Sequence, residues 1–274
     1  MTKFICRGCG TQYPDSKVPP EGCATCQDER QYIPAGGQRW TSMVELSAGF
    51  RNRLTELEPG LFEIVTEPRF AIGQRALLVR TAAGNVLWDC LSLIDEETVA
   101  ALGKLGGVQR MAISHPHFYG AFGAWIDALE IPSLLLPAAD RAHAVSPHPR
   151  VQYFDEDAVT ATGDLSVLRL GGHFQGSTVL HWPGGADGRG ALLTGDTVAV
   201  VADRRHVTFL YSYPNRVPLP AGDVQRIADR CRDLRFDRLY GGFPGDVIDH
   251  DARAAVLRSA ERYIAMLDGS WPRS

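Results

Sequence analysis

Residues 110–120 read Arg-Met-Ala-Ile-Ser-His-Pro-His-Phe-Tyr-Gly. The run Arg110–Ser114 reads as a buried strand that delivers the chain into His115. A second imidazole, His117, follows one residue later. Downstream, Gly172-His173-Phe174-Gln175-Gly176-Ser177 follows the apolar run Leu165–Leu170, and Leu193-Thr194-Gly195-Asp196-Thr197 closes the run from Ala191. In each case a ligand-type residue leaves the end of a strand, where loops converge on one cavity.

Working outward, short apolar runs alternate with helical patterns. Leu61–Thr66, Ala76–Arg80 and Val86–Asp89 are β-like, and Gly84-Asn85 fits a hairpin between the last two. Asp95–Leu105 opens on an Asp cap, carries acids in its first turn and stops before Gly106-Gly107, as a helix does. Phe118–Leu129 reads as helix and Ser133–Leu136 as strand. Thr178–Trp182 and Ala191–Thr194 are further strands, and Asp223–Asp233 and Asp251–Leu267 are the last helices. Strands first, then alternating strand and helix, twice over, predict two αβ halves packed as layers.

The three histidine and aspartate steps, in this order, resemble the metallo-β-lactamase superfamily over most of residues 40–267. The resemblance implies an α/β fold, a four-layer αββα sandwich with metal at the sheet edge. It also implies a first metal site of His115, His117 and His173, with Asp196 bridging to a second ion. The family's first motif runs His-x-His-x-Asp-His; here Tyr119 and Gly120 stand at its last two positions, and Phe243 stands where a late His is expected. The family's residues at those three positions are the second metal's ligands, so the resemblance, read residue by residue, implies a mononuclear site. Asp196 is then a fourth ligand or a partner of the metal's water. Tyr119 donates to substrate, acts as an acid, or fills vacated space. His143, His148, His181 and His206 read as surface or packing residues, and His250, at the start of a helix, is a poor substitute ligand.

The N-terminus carries a separate signal. Cys6-Arg-Gly-Cys9-Gly10 and Cys23-Ala-Thr-Cys26 are two Cys-x-x-Cys turns, each aiming a pair of sulfurs at one ion. Gly10 suits the left-handed backbone that such a turn needs. Four thiolates at this spacing predict a rubredoxin-like or zinc-ribbon knuckle holding structural Zn²⁺, with iron as the metal alternative. Ile33-Pro34-Ala35-Gly36-Gly37 reads as a linker, which divides the chain into a knuckle, 1–37, and a main domain, 38–274. Cys90 and Cys231 are isolated and read as packing residues.

Composition narrows the partners. Of 274 residues, 45% are hydrophobic, enough for a large core, and the net charge is −4. Acids balance Lys3, Arg7, Lys17 and Arg30 in the knuckle, which disfavours nucleic acid; docking to a protein partner or to the main domain fits better. No apolar run reaches the ~18 residues of a membrane span, and Met1–Gly10 has no signal-like apolar stretch, so a cytoplasmic location is expected. The expected activity is hydrolysis of a small ester, thioester, lactone or amide by a single metal-bound water on Zn²⁺ or Fe²⁺. Two alternatives stay open: a mononuclear iron oxidoreductase resembling persulfide dioxygenases, and a catalytically inactive binding module.

Overall fold

The structure, a computed structural model, describes residues 1–272. Its main body is two sheets lying face to face. The first has seven strands in the order Val151–Phe154, Leu134–Pro137, Arg110–Ala112, Val86–Trp88, Ala76–Val79, Leu61–Glu67, Arg51–Glu58. The second has six, in the order Ala158–Thr162, Leu165–Arg169, Thr178–Trp182, Ala191–Gly195, Arg238–Gly241, Val247–Ile248.

Side-chain alternation along the strands builds the layers. Leu77 and Val79 join Leu180, Leu193 and Tyr240 in the core between the sheets. Their neighbours Ala76 and Leu78 point outward, under Leu102, Trp125 and Ile126 of the helices Glu96–Lys104 and Phe122–Ala128. On the other side Val179, Leu192 and Leu239 pack against Ile227 and Val256 of the helices Ala221–Arg232 and Ala252–Asp268. A period of two with both faces covered makes every position in such strands apolar, which is why they read as short unbroken runs. The result is the expected four-layer αββα sandwich.

Two parallel pairings place the site. Val86–Trp88 runs parallel to Arg110–Ala112, and Ala191–Gly195 runs parallel to Arg238–Gly241. Their C-terminal ends therefore open at one edge, releasing Asp89, His115, Asp196 and Gly242. Thr178 N donates to Ser114 O at 2.8 Å and ties the two sheets together there.

Local departures from the expected elements have physical causes. Phe118–Leu129 is not one helix: a 3-10 turn covers Pro116–Phe118, and the α-helix begins only at Phe122. The break lets the backbone carry both imidazoles into the edge before it turns away. Arg51–Glu58, Arg-Asn-Arg-Leu-Thr-Glu-Leu-Glu, is an edge strand that the sequence did not announce. It is polar on most positions and is held by antiparallel pairing with Leu61–Glu67.

The N-terminal segment forms a small sheet of Gln12–Ser16, Thr2–Cys6 and Trp40–Thr41, so residues just beyond 37 also complete it. Gly10, at φ +87°, closes the turn after Cys9; a β-carbon there would meet Ser92 Oγ at 2.2 Å. Cys23 caps the short helical turn Ala24–Gln27, and Cys26 lies within it. Among the described residues no helix is long and apolar enough to cross a membrane.

Candidate metal centre

His115, His117 and His173 meet at the sheet edge, each 1% exposed, with one nitrogen of each within 4.8 Å of the others. His173 Nδ1 donates to Leu210 O at 3.1 Å, which leaves the lone pair on Nε2. That Nε2 lies 3.2 Å from His117 Nδ1. Nε2 of His115 and Nε2 of His117 are buried with no hydrogen-bond partner. An orphaned buried nitrogen costs about 1–3 kcal/mol unless something satisfies it. Two nitrogens on one tetrahedral ion at ~2.05 Å sit roughly 3.3 Å apart, close to the spacing found. The donor set therefore fits a single ion of the zinc or iron type.

Burial sets the protonation states. It pushes His115 and His117 well below the ordinary imidazole value, with His173 adding to the effect in both. It takes His173 down to about 4, against an opposing bond to Leu210 O. All three are thus neutral at pH 7, the form that binds metal. Asp196 is 6% exposed, and its Oδ2 lies 3.6 Å from His115 Nε2. Burial, then the nearby Asp89 and Asp246, raise its carboxyl to about 8. A carboxyl strained in this way is relieved by a cation.

Aromatic rings wall the site. Phe174 lies 4.8 Å from His117 and 5.1 Å from His173, and Phe118 lies 4.3 Å from His115. Phe118 also stacks edge-on with Phe243 at 5.8 Å. A β-carbon on Gly242 would meet Phe118 at 2.7 Å and Asp196 Oδ1 at 3.2 Å, so the strand end passes close against the site. Among the described residues the imidazoles and the four cysteines are the only His/Cys/Asp/Glu sets arranged to hold an ion. Gly195, at φ +52°, carries the chain into Asp196; a β-carbon there would strike Ser114 Oγ at 2.2 Å.

Tyr119 sits in the core of the first half, its ring 6.1 Å from Phe122 and its hydroxyl without a partner. Asp140, near it, is also buried with an unpartnered Oδ2. His250 is exposed and outside the cluster. His143, read as a surface or packing residue, stacks on Phe174 at 5.0 Å, beside the site.

The sequence reading missed Asp89 and Arg30. Asp89, at φ +64°, accepts a bond from Ser114 N at 2.7 Å and so fixes the strand end that carries His115; burial raises it to about 7. Its one sequence signal is its place at the end of Val86–Trp88, matching that of His115 on the next strand. Arg30, from the knuckle, donates from Nε to His173 O at 3.0 Å, across 143 residues of chain. Nothing local marks it.

The cysteine set is compact. Sγ of Cys6 and Cys26 are 3.6 Å apart, and those of Cys9 and Cys23 are 3.4 Å apart. All four are free and 0–3% exposed. Sulfurs on a tetrahedral zinc at ~2.3 Å lie roughly 3.8 Å apart, so this set fits too. Gly8 N and Gln38 Nε2 donate to Cys6 Sγ at 3.3 and 3.0 Å, as suits a thiolate. The bond from Cys23 pushes Cys6 down, and it pushes Cys9 and Cys26 up.

The sandwich is the metallo-β-lactamase fold. The metallo-β-lactamase DIM-1 superposes with a TM-score of 0.58 at 16% identity, covering 77% of this chain and 98% of that one. FIM-1 from Pseudomonas aeruginosa, in its mono-zinc form, gives 0.56 at 14%, covering 78% and 96%. A B3 metallo-β-lactamase with an active-site glutamic acid gives 0.54 at 17%, covering 83% and 94%. At these identities the likeness shows the fold alone. No protein-family model matches the chain. The chain belongs to the family of the uncharacterized protein YmaE of Bacillus subtilis, with which it is 42% identical over 270 residues, 98% of each.

Proposed function

We propose that His115, His117 and His173 hold one metal ion, and that the protein is a mononuclear metal-dependent hydrolase of a small ester, thioester, lactone or amide. The observation that carries this reading is the set of three buried, neutral imidazoles whose nitrogens converge within 4.8 Å, with Nε2 of His115 left without a partner among them. One ion held there supplies a Lewis acid for the carbonyl and an activated water at neutral pH. With a cation held by the imidazoles, the buried Asp196 carboxyl beside His115 would lose its proton and would serve as a fourth ligand or as a hydrogen-bond partner of the metal's water. Asp89 holds the His115 backbone, and the bond to Leu210 O fixes the His173 tautomer. Phe118 and Phe174 keep bulk water away from the imidazoles. Tyr119 we assign the space-filling role, because its ring packs in the core against Phe122.

The four sulfurs hold a structural zinc in this reading, and that ion supplies much of the folding free energy of residues 1–37, with the catalytic domain beginning at 38. Clustered thiolates acting as ligands suit a reducing compartment, so we place the protein in the cytoplasm.

The test is metal content per chain, with element identity, for wild type, His117→Ala and Cys6→Ser/Cys9→Ser. Two ions are expected in wild type and one in each variant. A wild type with one ion that survives His117→Ala refutes the reading. Iron in the histidine centre, with oxygen uptake on persulfides, replaces hydrolase with oxidoreductase.

A further inference from the structure

The knuckle lies over the histidine centre and is bonded to four of the loops around it. Gln12 N donates to Gly120 O at 3.0 Å, just past His117. Ser92 Oγ donates to Gly10 O at 2.9 Å, just past Asp89. The Asp28–Arg30 turn, just after Cys26, reaches the His173 loop and the Tyr211–Asn215 loop. There Arg30 Nε meets His173 O, Ser212 Oγ donates to Arg30 O at 2.9 Å, and Asn215 Nδ2 donates to Glu29 O at 3.1 Å. The Tyr211 hydroxyl donates to the Glu29 carboxylate.

The Arg30 guanidinium is stacked between Phe174, at 4.2 Å, and Tyr211, at 4.5 Å. Asp28 holds it from outside, with both carboxylate oxygens 2.8 Å from Nη1. Phe174, beneath it, is the ring that packs on His117 and His173.

This arrangement closes the site. Imidazoles that are 1% exposed cannot present an ion to a substrate until something moves. The wall made by Phe118 and Phe243 belongs to the sandwich core. The Asp28–Arg30 turn does not. It is joined to the main body by side-chain bonds and one stacked cation, with no strand pairing. Such contacts contribute about 0.5–2 kcal/mol each, so they are the ones that open first.

We propose that the Asp28–Arg30 turn is a lid on the histidine centre, hinged on the cysteine site and latched by Arg30 between Phe174 and Tyr211. Opening it exposes His173 and His117 to substrate; closing it shuts the ion away from water. The proposal rests on the reading of the imidazoles as a metal site and extends that reading to access.

The test uses full-length protein loaded with Co²⁺. The cysteine site reports through its sulfur-to-cobalt charge-transfer band, and the histidine site through its weaker ligand-field bands. Each is followed as excess chelator removes the ion. Arg30→Ala is expected to lose histidine-site cobalt roughly tenfold faster than wild type while the sulfur band decays at the wild-type rate. Asn215→Ala, which leaves the knuckle intact, is expected to shift the rate the same way by less. In parallel, the metal-free histidines are reacted with diethyl pyrocarbonate and mapped by mass spectrometry, and His117 and His173 are expected to react faster in both variants. Wild-type rates of cobalt loss and of histidine modification in both variants overturn the lid. If no cobalt enters the histidine site, the metal reading fails, and the modification rates still decide whether the turn covers the imidazoles.

Discussion

Arg75 is a buried charge that joins the two halves of the sandwich, and replacing it by methionine tests how the site edge is held. The side chain is 1% exposed and lies against Glu63, itself 6% exposed. Nη1 meets Glu63 Oε1 at 3.0 Å; Nε and Nη2 meet Gly241 O at 3.0 and 2.8 Å; Nη2 also meets Asp246 O at 2.8 Å. The backbone N of Arg75 donates to Gly242 O at 2.9 Å. Burial pulls the guanidinium below its ordinary value, and Glu63 opposes that pull.

Arg75→Met keeps most of the stem and deletes the charge. Glu63 is then buried without a partner, which costs about 3–5 kcal/mol. Gly241 O loses both its Arg75 donors, at about 1–3 kcal/mol if no water replaces them, while Asp246 O keeps the bond from Gly241 N. These costs share one network and do not add. We take about 4 kcal/mol for the single variant, a large part of a typical total of about 5–15. In Arg75→Met/Glu63→Leu the stranded carboxylate is gone and only the loss at Gly241 O remains, so the cost falls to about 2 kcal/mol. Urea unfolding of wild type, both single variants and the double variant closes the cycle. If the double variant is as unstable as Arg75→Met, the penalty does not come from the stranded carboxylate and the reasoning fails.

Two shorter predictions follow from the site's surroundings. Burial raises the Asp140 carboxyl to about 6, against the bond from Gly176 N that lowers it. The folded state therefore keeps this proton longer than the unfolded one, and its contribution to stability declines as pH rises from about 4 to about 6. Asp140→Asn keeps an acceptor for Gly176 N and removes that decline, so it gains up to about 3 kcal/mol on wild type across this window and holds the gain above it. Urea midpoints of the two proteins that run parallel from pH 4 to 8 contradict this. Gly195→Ala puts a β-carbon at φ +52° and 2.2 Å from Ser114 Oγ, next to His115. The left-handed conformation alone costs about 1–2 kcal/mol, and the displaced Ser114 moves the neighbouring His115. The variant is expected to bind metal more weakly at the histidine centre and to keep the knuckle ion; unchanged affinity by equilibrium dialysis counts against the assigned geometry.

What could be read in advance was whatever local pattern determines. The hairpin around Gly84-Asn85, the Asp95 cap and the strand leading into His115 are each set by residues within a few positions, and each stands where the spacing put it. The convergence of the three imidazoles was legible for the same reason, since each sits just past the end of a strand. Arg51–Glu58 was not, because its stability comes from the partner strand and not from its own apolar period. Asp89 and Arg30 were not, because what makes them part of the site is a backbone angle in one and a contact 143 residues away in the other. Tyr119 stood in a ligand's place by motif order, yet its ring went to the core beside Phe122.

The docking of the knuckle also has a consequence for assembly. Its segment is synthesised before the sandwich that receives it, whose contacts lie at Ser92, Gly120, His173, Tyr211, Ser212 and Asn215. Contacts so distant along the chain form late, after the sandwich that presents them exists. Residues 1–41 must therefore wait, shaped or unshaped, while more than two hundred residues are made and folded. During that wait the histidine edge stands open, and an ion has its clearest path to the imidazoles. On the lid proposal, the knuckle segment settles after the sandwich it docks on, and its docking is what would close the histidine edge.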